Sequence, residues 1–288
     1  MAAIAVATDF STRSDRALAR AAILGKSNGD ELLLIHVIDD DQPAAVVSAH
    51  RLEAEKLLHD LTRSVSDLSG VPCRCEIVLG DPFQQIPAAS AGAGAALLVM
   101  GPHRRQVLRD QFRGTTVERT IRLSTIPVLV ANAVPAGDYV NVLLTTDLSF
   151  ESASALQMAL SLPFLEESDR ALIHVFEPVA KRALGRALAS PDEIEDYVAD
   201  ETARAASALR EFSHASQLDR ANTLPYRLRR SIELDVLDVA RERNAQLVVV
   251  GAGRKRFLES VMLGSVAEGV LRDAECDVLV IPSGATEE

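Results

Sequence analysis

The segment IAVATDFS (Ile4–Ser11) occurs twice in this chain, returning 138 residues later as VLLTTDLS (Val142–Ser149). Four more blocks recur in the same order: LLLIHVID and ALIHVFEP, LLVMGPHRR and VVVGAGRKR, RGTTVERTIR and LGSVAEGVLR, TIPVLVAN and ECDVLVIP. Self-similarity over most of a 288-residue sequence indicates a duplicated structural unit. We predict two domains, residues 1–134 and 138–288, joined by the turn-forming linker Val134–Asp138.

Each half alternates apolar runs with amphipathic patterns. Nearly continuous apolar runs are typical of parallel strands buried on both faces, and the first half has Ile4–Thr8, Leu32–Ile38, Leu97–Gly101 and Val128–Val130. Helices are predicted between them, at Ala44–Leu68, at Phe83–Ala93, and from a Ser11 or Ser14 cap to Gly25. The alternation predicts an α/β fold with a parallel sheet covered on both faces, which binds ligands at the carboxyl ends of its strands.

An acidic residue follows the first predicted strand in each half. The pairs are Thr8-Asp9 and Thr146-Asp147, and each precedes a hydroxyl residue and a helix. Such a carboxylate can accept a hydrogen bond from a ligand hydroxyl or amine, or it can cap its own helix. The spacing of these residues does not distinguish ligand binding from helix capping.

A His-Val pair ends the second predicted strand of each half, at His36-Val37 and His174-Val175. A histidine in so apolar a strand is more often a core residue with its hydrogen bonds satisfied than a catalyst. The two valines could offer main-chain groups to a flat heterocycle, a role that periodicity neither shows nor excludes.

A glycine ends the fourth predicted strand of each half. Gly101 precedes Gly114-Thr115-Thr116 by thirteen residues, and Gly251 precedes Gly264-Ser265-Val266 by the same spacing. Glycine lets a backbone approach a ligand closely, and a helix start offers N–H groups and a positive dipole end to an anion. This predicts a phosphate cradle. The alternative is that Thr115 and Ser265 only cap their helices while the glycines serve tight turns.

On these residues the chain resembles a tandem member of the universal stress protein family. The resemblance covers nearly the whole chain and rests on ATDFS, LLLIHV, the turn GDP and the run GAGRKRFLESVMLGSVAEGVLRDAECDVLVIP. It implies two tandem flavodoxin-like domains, each with a doubly wound, five-stranded, mainly parallel sheet, related by a pseudo-twofold axis.

The resemblance also implies a ligand, because ATP-binding members carry the motif G-x2-G-x9-G-(S/T). The expected ligand is ATP, with Mg²⁺ on its phosphates, and the strand-one acids and second-strand valines would contact its adenosine portion. The residues expected at the nucleotide are Thr8, Asp9, Val37, Gly101, Arg104, Gly114, Thr115 and Thr116, and in the second half Thr146, Asp147, Val175, Gly251, Arg254, Gly264, Ser265 and Val266.

The chain departs from that motif at the middle glycine, which is Arg104 in one half and Arg254 in the other. A side chain there costs affinity if the main chain must approach the phosphates, whereas an arginine could add a charge-assisted contact. The neighbouring bases Arg105, Lys255 and Arg256 fit that second outcome and equally fit a solvated loop.

Composition argues against several partners. The 41 acidic residues exceed the 30 basic ones, giving a net charge of −11, so we expect no nucleic-acid partner. The longest apolar run is too short for a bilayer, so we expect no membrane partner. Three cysteines do not suggest a disulfide framework, and the first residues do not resemble a secretory signal, so we expect a cytoplasmic protein.

No constellation in the sequence suggests turnover, so we do not expect an enzyme. The expected function is a stress-response protein that binds ATP or ADP as a sensor or stabilising ligand, without obligatory catalysis. Two alternatives stay open. One is a nucleotide-independent protein that acts in signalling through unknown protein partners, and the other is a slow ATPase or another adenine-nucleotide-using enzyme.

The fifth predicted strand of each half, Pro127–Val130 and Asp277–Ile281, is apolar and should lie at a sheet edge. An exposed apolar edge is an aggregation liability unless another strand pairs with it. Single-domain members of the resembled family dimerise through this strand. We therefore expect the two halves to pair within the chain, as an intramolecular pseudo-dimer. The alternative is that each half pairs with another chain, giving a homodimer or a larger assembly.

Overall fold

A computed structural model describes residues 2–102, 114–178, 190–253 and 263–282 of the protein. One ten-stranded sheet runs through it, with helices packed on both faces. The strands are β1 Ala3–Ala7, β2 Glu31–Ile38, β3 Cys73–Leu79, β4 Ala95–Met100, β5 Val128–Val130, β6 Asn141–Thr145, β7 Asp169–Phe176, β8 Asn222–Arg227, β9 Leu247–Gly251 and β10 Asp277–Ile281.

Eight α-helices lie within the described residues. They are α1 Thr12–Asn28, α2 Ala44–Ser69, α3 Pro82–Gly92, α4 Thr116–Leu123, α5 Phe150–Leu160, α6 Pro191–Ala215, α7 Ile232–Glu242 and α8 Ser265–Asp273, with a 3₁₀ turn at Pro163–Leu165. None of these helices is long and apolar enough to cross a membrane.

The strand order is β3-β2-β1-β4-β5-β10-β9-β6-β7-β8. Within each half every neighbouring pair is parallel. The predicted fold class, two doubly wound five-stranded units, is therefore confirmed. In the first half the order reverses between β1 and β4, and such a switch point is where α/β sheets open a crevice for ligands.

The two units meet through their fifth strands. β5 and β10 pair in the antiparallel sense, with Leu129 opposite Leu279 and Val130 opposite Val278. The expected pairing within the chain is thus confirmed, and it places both apolar strands in the middle of the sheet. All of their residues are buried.

Successive side chains of a strand pack into two separate hydrophobic cores, one on each face of the sheet. On β2, Leu32 and Leu34 pack with α1 and α2 on one face, while Leu33 and Ile35 pack with α3 and α4 on the other. This double burial explains why the strands appear in the sequence as continuous apolar runs rather than alternating ones.

The end of α1 differs from the prediction. Ser11, one of the two predicted N-caps, caps the start of the helix. The helix does not end at Gly25 but continues to Asn28, and Gly29 follows in a left-handed conformation. Gly25 is buried, and a β-carbon there would lie 3.1 Å from Val71 and 3.3 Å from Leu32. Glycine at this position allows α1 to pack closely on the sheet instead of ending the helix.

A buried ionic cluster ties the two halves together beside the strand pairing. Arg20 of α1 donates from Nε to Oδ2 of Asp277 at 2.9 Å and from a terminal nitrogen to the carbonyl of Gly137 at 2.6 Å. The carboxylate of Asp277 also accepts from the Tyr139 hydroxyl at 2.6 Å and from the main-chain N–H of Ala133 at 2.8 Å. Burial, followed by the Asp277 charge, raises the pKa of Tyr139 well above its usual value, so this hydroxyl stays a donor.

We predict that Arg20→Ala lowers the free energy of unfolding by about 3 kcal/mol, because it leaves the fully buried Asp277 carboxylate without its cation. Urea denaturation followed by circular dichroism measures this. The control is Arg51→Ala, which removes a half-exposed ion pair with Glu55 and should cost less than about 1 kcal/mol. Equal effects of the two substitutions would contradict the assignment.

Candidate functional site

A cleft of about 420 Å³ opens at the switch point of the first half, a size typical of small-molecule sites. It lies at the carboxyl ends of β1, β2 and β4 and beside the start of α4. Six of the predicted residues line it together, namely Thr8, Asp9, Val37, Gly101, Thr115 and Thr116. Gly114 is not among its lining residues.

The turn after β1 is held by its own hydroxyl groups. The Thr8 hydroxyl donates to Ser14 and accepts from the main-chain N–H of Phe10, which adopts a left-handed φ of 58°. Asp9 accepts from both the main-chain N–H and the hydroxyl of Ser11. Ser11 in turn caps α1, accepting from the N–H of Ser14. Asp9 therefore supports the cap rather than forming it, and its second carboxylate oxygen, Oδ2, lies 3.6 Å from a terminal nitrogen of Arg13.

Asp9 is ionised at neutral pH. Burial works to raise the pKa of this carboxyl, but the hydrogen bonds from Ser11 and Ser14 and the charge of Arg13 together hold it below its usual value. The Arg13 guanidinium lies 3.6 Å from the carboxylate of Asp9. The exposed fraction of the Asp9 side chain is 63%. A charged, accessible acceptor thus stands at the rim of the cleft.

His36 is fixed by the main chain, as the residue pattern of β2 suggested. Its Nδ1 lies 2.8 Å from the carbonyl oxygen of Thr8, and because a carbonyl only accepts, Nδ1 carries the proton. His174 repeats this contact with the carbonyl of Thr146 at 3.1 Å. Both histidines orient the turn after the first strand of their half.

Val37 turns its main-chain groups toward the cleft. The Thr8 N–H donates to the carbonyl of Ile35, so Ile35 faces β1. Residues two apart along a strand point the same way, so Val37 faces the same side, where β1 has already ended. This orientation agrees with the predicted offer of main-chain groups to a heterocycle.

Gly101 is required for packing. A β-carbon at this position would lie 2.5 Å from the carbonyl oxygen of Arg13 and 2.7 Å from its carbon. At the matching Gly251 the nearest atom would be the Cβ of Ala155 at 3.6 Å, an ordinary contact. The two glycines match in sequence, but only the first lets the start of α1 lie directly against the end of the fourth strand.

The start of α4 forms one wall of the cleft. Thr115 is the N-cap and accepts from the N–H of Glu118, while Thr116 and Val117 open the helix and line the cleft. The positive end of the helix dipole therefore lies at the cavity. The N–H of Gly114, which has a left-handed φ of 84°, donates to the buried carboxylate of Glu118, so the structure directs this predicted phosphate donor elsewhere.

The second half repeats the turn but changes the helix start. Asp147 accepts from Ser149 as Asp9 does from Ser11; burial works to raise its pKa, and the serine hydrogen bonds hold it below its usual value. Gly264, however, occupies the N-cap and donates its N–H to the carbonyl of Ala252 at 2.7 Å. Ser265 is consequently the first helical residue, so the alternative in which it only caps the helix is wrong.

The sequence did not predict that Arg13 belongs to the site, because its position has the spacing of an ordinary exposed helix residue. It lines the cleft and pairs with Asp9. The 138-residue offset places Glu151 at the equivalent position of the second half, in the first turn of α5. The two halves therefore differ in charge at a matched position, and only comparing the repeats residue by residue would have found this.

The motif arginines Arg104 and Arg254 lie outside the described residues, as do Arg105, Lys255 and Arg256. The two alternative effects of an arginine at the middle position, weaker or stronger phosphate binding, both stay predictions.

The fold and the cleft define a duplicated α/β protein with a crevice at the carboxyl rim of its first unit. The sequence model of the universal stress protein family matches residues 1–132 and 138–282, and the chain belongs to this family. That membership assigns it to the stress-response class of proteins.

Individual relatives are more distant. The universal stress protein MJ0577 of Methanocaldococcus jannaschii is 25% identical over 146 residues, which cover 43% of this chain and 90% of that protein. A crystal structure of a universal stress protein from Archaeoglobus fulgidus superposes with a TM-score of 0.68 at 20% identity, covering 99% of this chain and 97% of the other. A functionally unknown protein, PA1789 from Pseudomonas aeruginosa, gives 0.66 at 17% identity, with coverages of 98% and 92%. The two structures share the tandem fold.

We predict that Gly101→Ala lowers the free energy of unfolding by about 2 kcal/mol, because its methyl group would overlap the Arg13 carbonyl. Gly251→Ala, the matched control, should change it by less than about 0.5 kcal/mol, since its methyl group meets only an ordinary contact. Thermal or urea unfolding distinguishes the two. A larger loss from Gly251→Ala would refute this account of the cleft wall.

Proposed function

We propose that this protein is a stress-response protein that binds an adenine nucleotide, ATP or ADP, in the cleft of its first half. The nucleotide acts as a sensor or stabilising ligand and is not obligatorily turned over. The observation that carries the proposal is the cleft itself, which joins the ionised Asp9, the main chain of Val37 and the first turn of α4 in one cavity. The three free thiols fit a reducing compartment such as the cytoplasm, where we propose that it acts.

In this proposal each wall of the cleft contacts a different part of the nucleotide. Asp9 accepts from a ribose hydroxyl or the adenine amine, and the main chain of Val37 meets the edge of the base. Pro82 and Ile86 of α3 supply an apolar wall for the ring. The phosphates, with Mg²⁺ bound to their oxygens, lie toward the start of α4, where the helix dipole favours an anion.

Arg13 favours the first half over the second. A guanidinium at the rim attracts a triphosphate and can bind it by charge-assisted hydrogen bonds, whereas the matched position of the second half carries the opposite charge, on Glu151. We therefore propose one nucleotide per chain, bound in the first half.

The proposal does not include obligatory catalysis, because the histidine that lines the cleft has a structural partner. The proton on Nδ1 of His36 is shared with the Thr8 carbonyl, which suits a positioning residue. Failure of ATP to raise the melting temperature would instead favour the nucleotide-independent alternative, since a ligand that binds only the folded state must stabilise it.

We predict that Asp9→Asn weakens Mg-ATP binding about tenfold or more, since a hydrogen bond to a charged group contributes about 1.5–3 kcal/mol. Isothermal titration calorimetry measures the affinity, with a stoichiometry of one per chain in the unchanged protein. Asp147→Asn, the matched control, should leave affinity and stoichiometry unchanged. Loss of binding in Asp147→Asn alone would move the site to the second half.

Arg13→Glu tests the phosphate end separately. We predict that it weakens ATP binding about tenfold and adenosine binding much less, because the reversed charge repels the phosphates directly and reaches adenosine only through its neighbour Asp9. Glu151→Arg is the control at the matched position and should not alter the first site. An equal loss for ATP and adenosine would contradict the phosphate role and indicate a damaged turn.

A further inference from the structure

The ten-stranded sheet ends at β3 on one side and at β8 on the other. An edge strand presents main-chain N–H and C=O groups that can pair with another chain. The fifth strands, β5 and β10, are already paired with each other. A second copy of this chain that extends the sheet must therefore use one of the two outer edges.

The β8 edge is closed to such pairing. The N–H of Leu228 donates to the carbonyl of Phe176 on β7 at 2.8 Å, so Leu228 faces inward. Because successive residues of a strand face opposite sides, Thr223, Pro225 and Arg227 present their main chain outward. Proline has no N–H to donate, and proline on an outward position is a common protection of edge strands.

Among the described residues, no strand pairs with the outer side of β3, so this edge is open. The N–H of Gly80 donates to Ile38 at 3.0 Å, and the carbonyl of Pro72 accepts from Leu32 at 2.8 Å, so the even-numbered residues face β2. The odd-numbered residues, Cys73, Cys75, Ile77 and Leu79, present their main chain outward. At the centre of this edge Arg74, Cys75 and Glu76 are exposed.

We propose that two copies of the protein associate through β3, paired in the antiparallel sense about a twofold axis at Cys75. In this register Cys75 lies opposite Cys75 of the second copy as a hydrogen-bonded pair, and Cys73 lies opposite Ile77. Arg74 lies opposite Glu76 of the second copy, and the symmetry forms this ion pair twice. Positions 74 and 76 are non-hydrogen-bonded, where cross-strand side chains approach most closely.

Charge selects this register over its neighbours. An axis at Ile77 would place Glu76 opposite Val78, and an axis at Cys73 would place Arg74 opposite Pro72. An axis at Arg74 or Glu76 would bring identical charges face to face, which is destabilising. Arg74 already lies 3.1 Å from Glu31 of its own chain, with 46% of its side chain exposed, so it can bridge two carboxylates.

Charge reversal tests the surface by sedimentation velocity over a range of protein concentrations. We expect the unchanged protein to show a monomer–dimer equilibrium that Arg74→Glu or Glu76→Arg weakens about tenfold each, by placing like charges opposite. The double variant Arg74→Glu/Glu76→Arg restores the pairs and should recover dimerisation. A protein that stays monomeric at every concentration, or a dimer insensitive to both reversals, would overturn the proposal. Matching melting temperatures show that the variants are folded.

Oxidation with diamide tests the register. Two thiols join as a disulfide, and the reagent takes up the two electrons and two protons that they release. Paired Cα atoms at a hydrogen-bonded site are about 5.5 Å apart, within disulfide range. We expect a cross-linked dimer in the unchanged protein, in Cys73→Ser and in Cys276→Ser, but not in Cys75→Ser. A cross-link that survives Cys75→Ser would overturn the register.

The other two cysteines suit this role as controls. Burial, followed by the neighbouring Cys75, raises the pKa of Cys73 to about 11. Burial, followed by the Asp277 charge, raises the pKa of Cys276 to about 12. Since the thiolate is the reactive form, both react slowly at neutral pH.

Discussion

The antiparallel pairing of β5 with β10 is the constraint on which the rest of the molecule depends. It converts two five-stranded units into one sheet and buries the strands that would otherwise expose an apolar edge. The Arg20–Asp277 cluster fixes the same junction with buried charge, and its hydrogen bonds join α1, the linker and β10. The cleft lies at the switch point of the first unit. The strand pairing and the buried cluster fix the position of this unit in the sheet.

Duplication preserved the turn after the first strand more faithfully than the chemistry around it. Both halves hold an ionised aspartate by serine hydrogen bonds beside a left-handed residue. Around that shared turn the halves have diverged, since Arg13 corresponds to Glu151 and the N-cap moves from Thr115 to Gly264. Charge at matched positions is therefore the feature that separates the two halves.

Much of the fold was predictable because it follows from local pattern. The repeat and the buried parallel strands follow from apolar runs and their order, and the pairing of the fifth strands is what the resemblance to the family implied for an apolar edge strand. The failures concern tertiary contact. Gly25 resembles a helix stop but lies inside α1 because its missing side chain allows packing. Gly101 lines the cleft, but its sequence position does not reveal that the Arg13 carbonyl occupies the space where a side chain would lie. The location of the candidate site was predictable, and the contribution of Arg13 was not.

Hydrogen–deuterium exchange with and without Mg-ATP tests the central claim most directly, because it locates a ligand on the main chain of each half. The account predicts slower exchange in the turn after β1 and in the first turn of α4. It predicts no change in the equivalent segments, the turn after β6 and the start of α8. Protection confined to the second half, or no protection at saturating nucleotide, would contradict it.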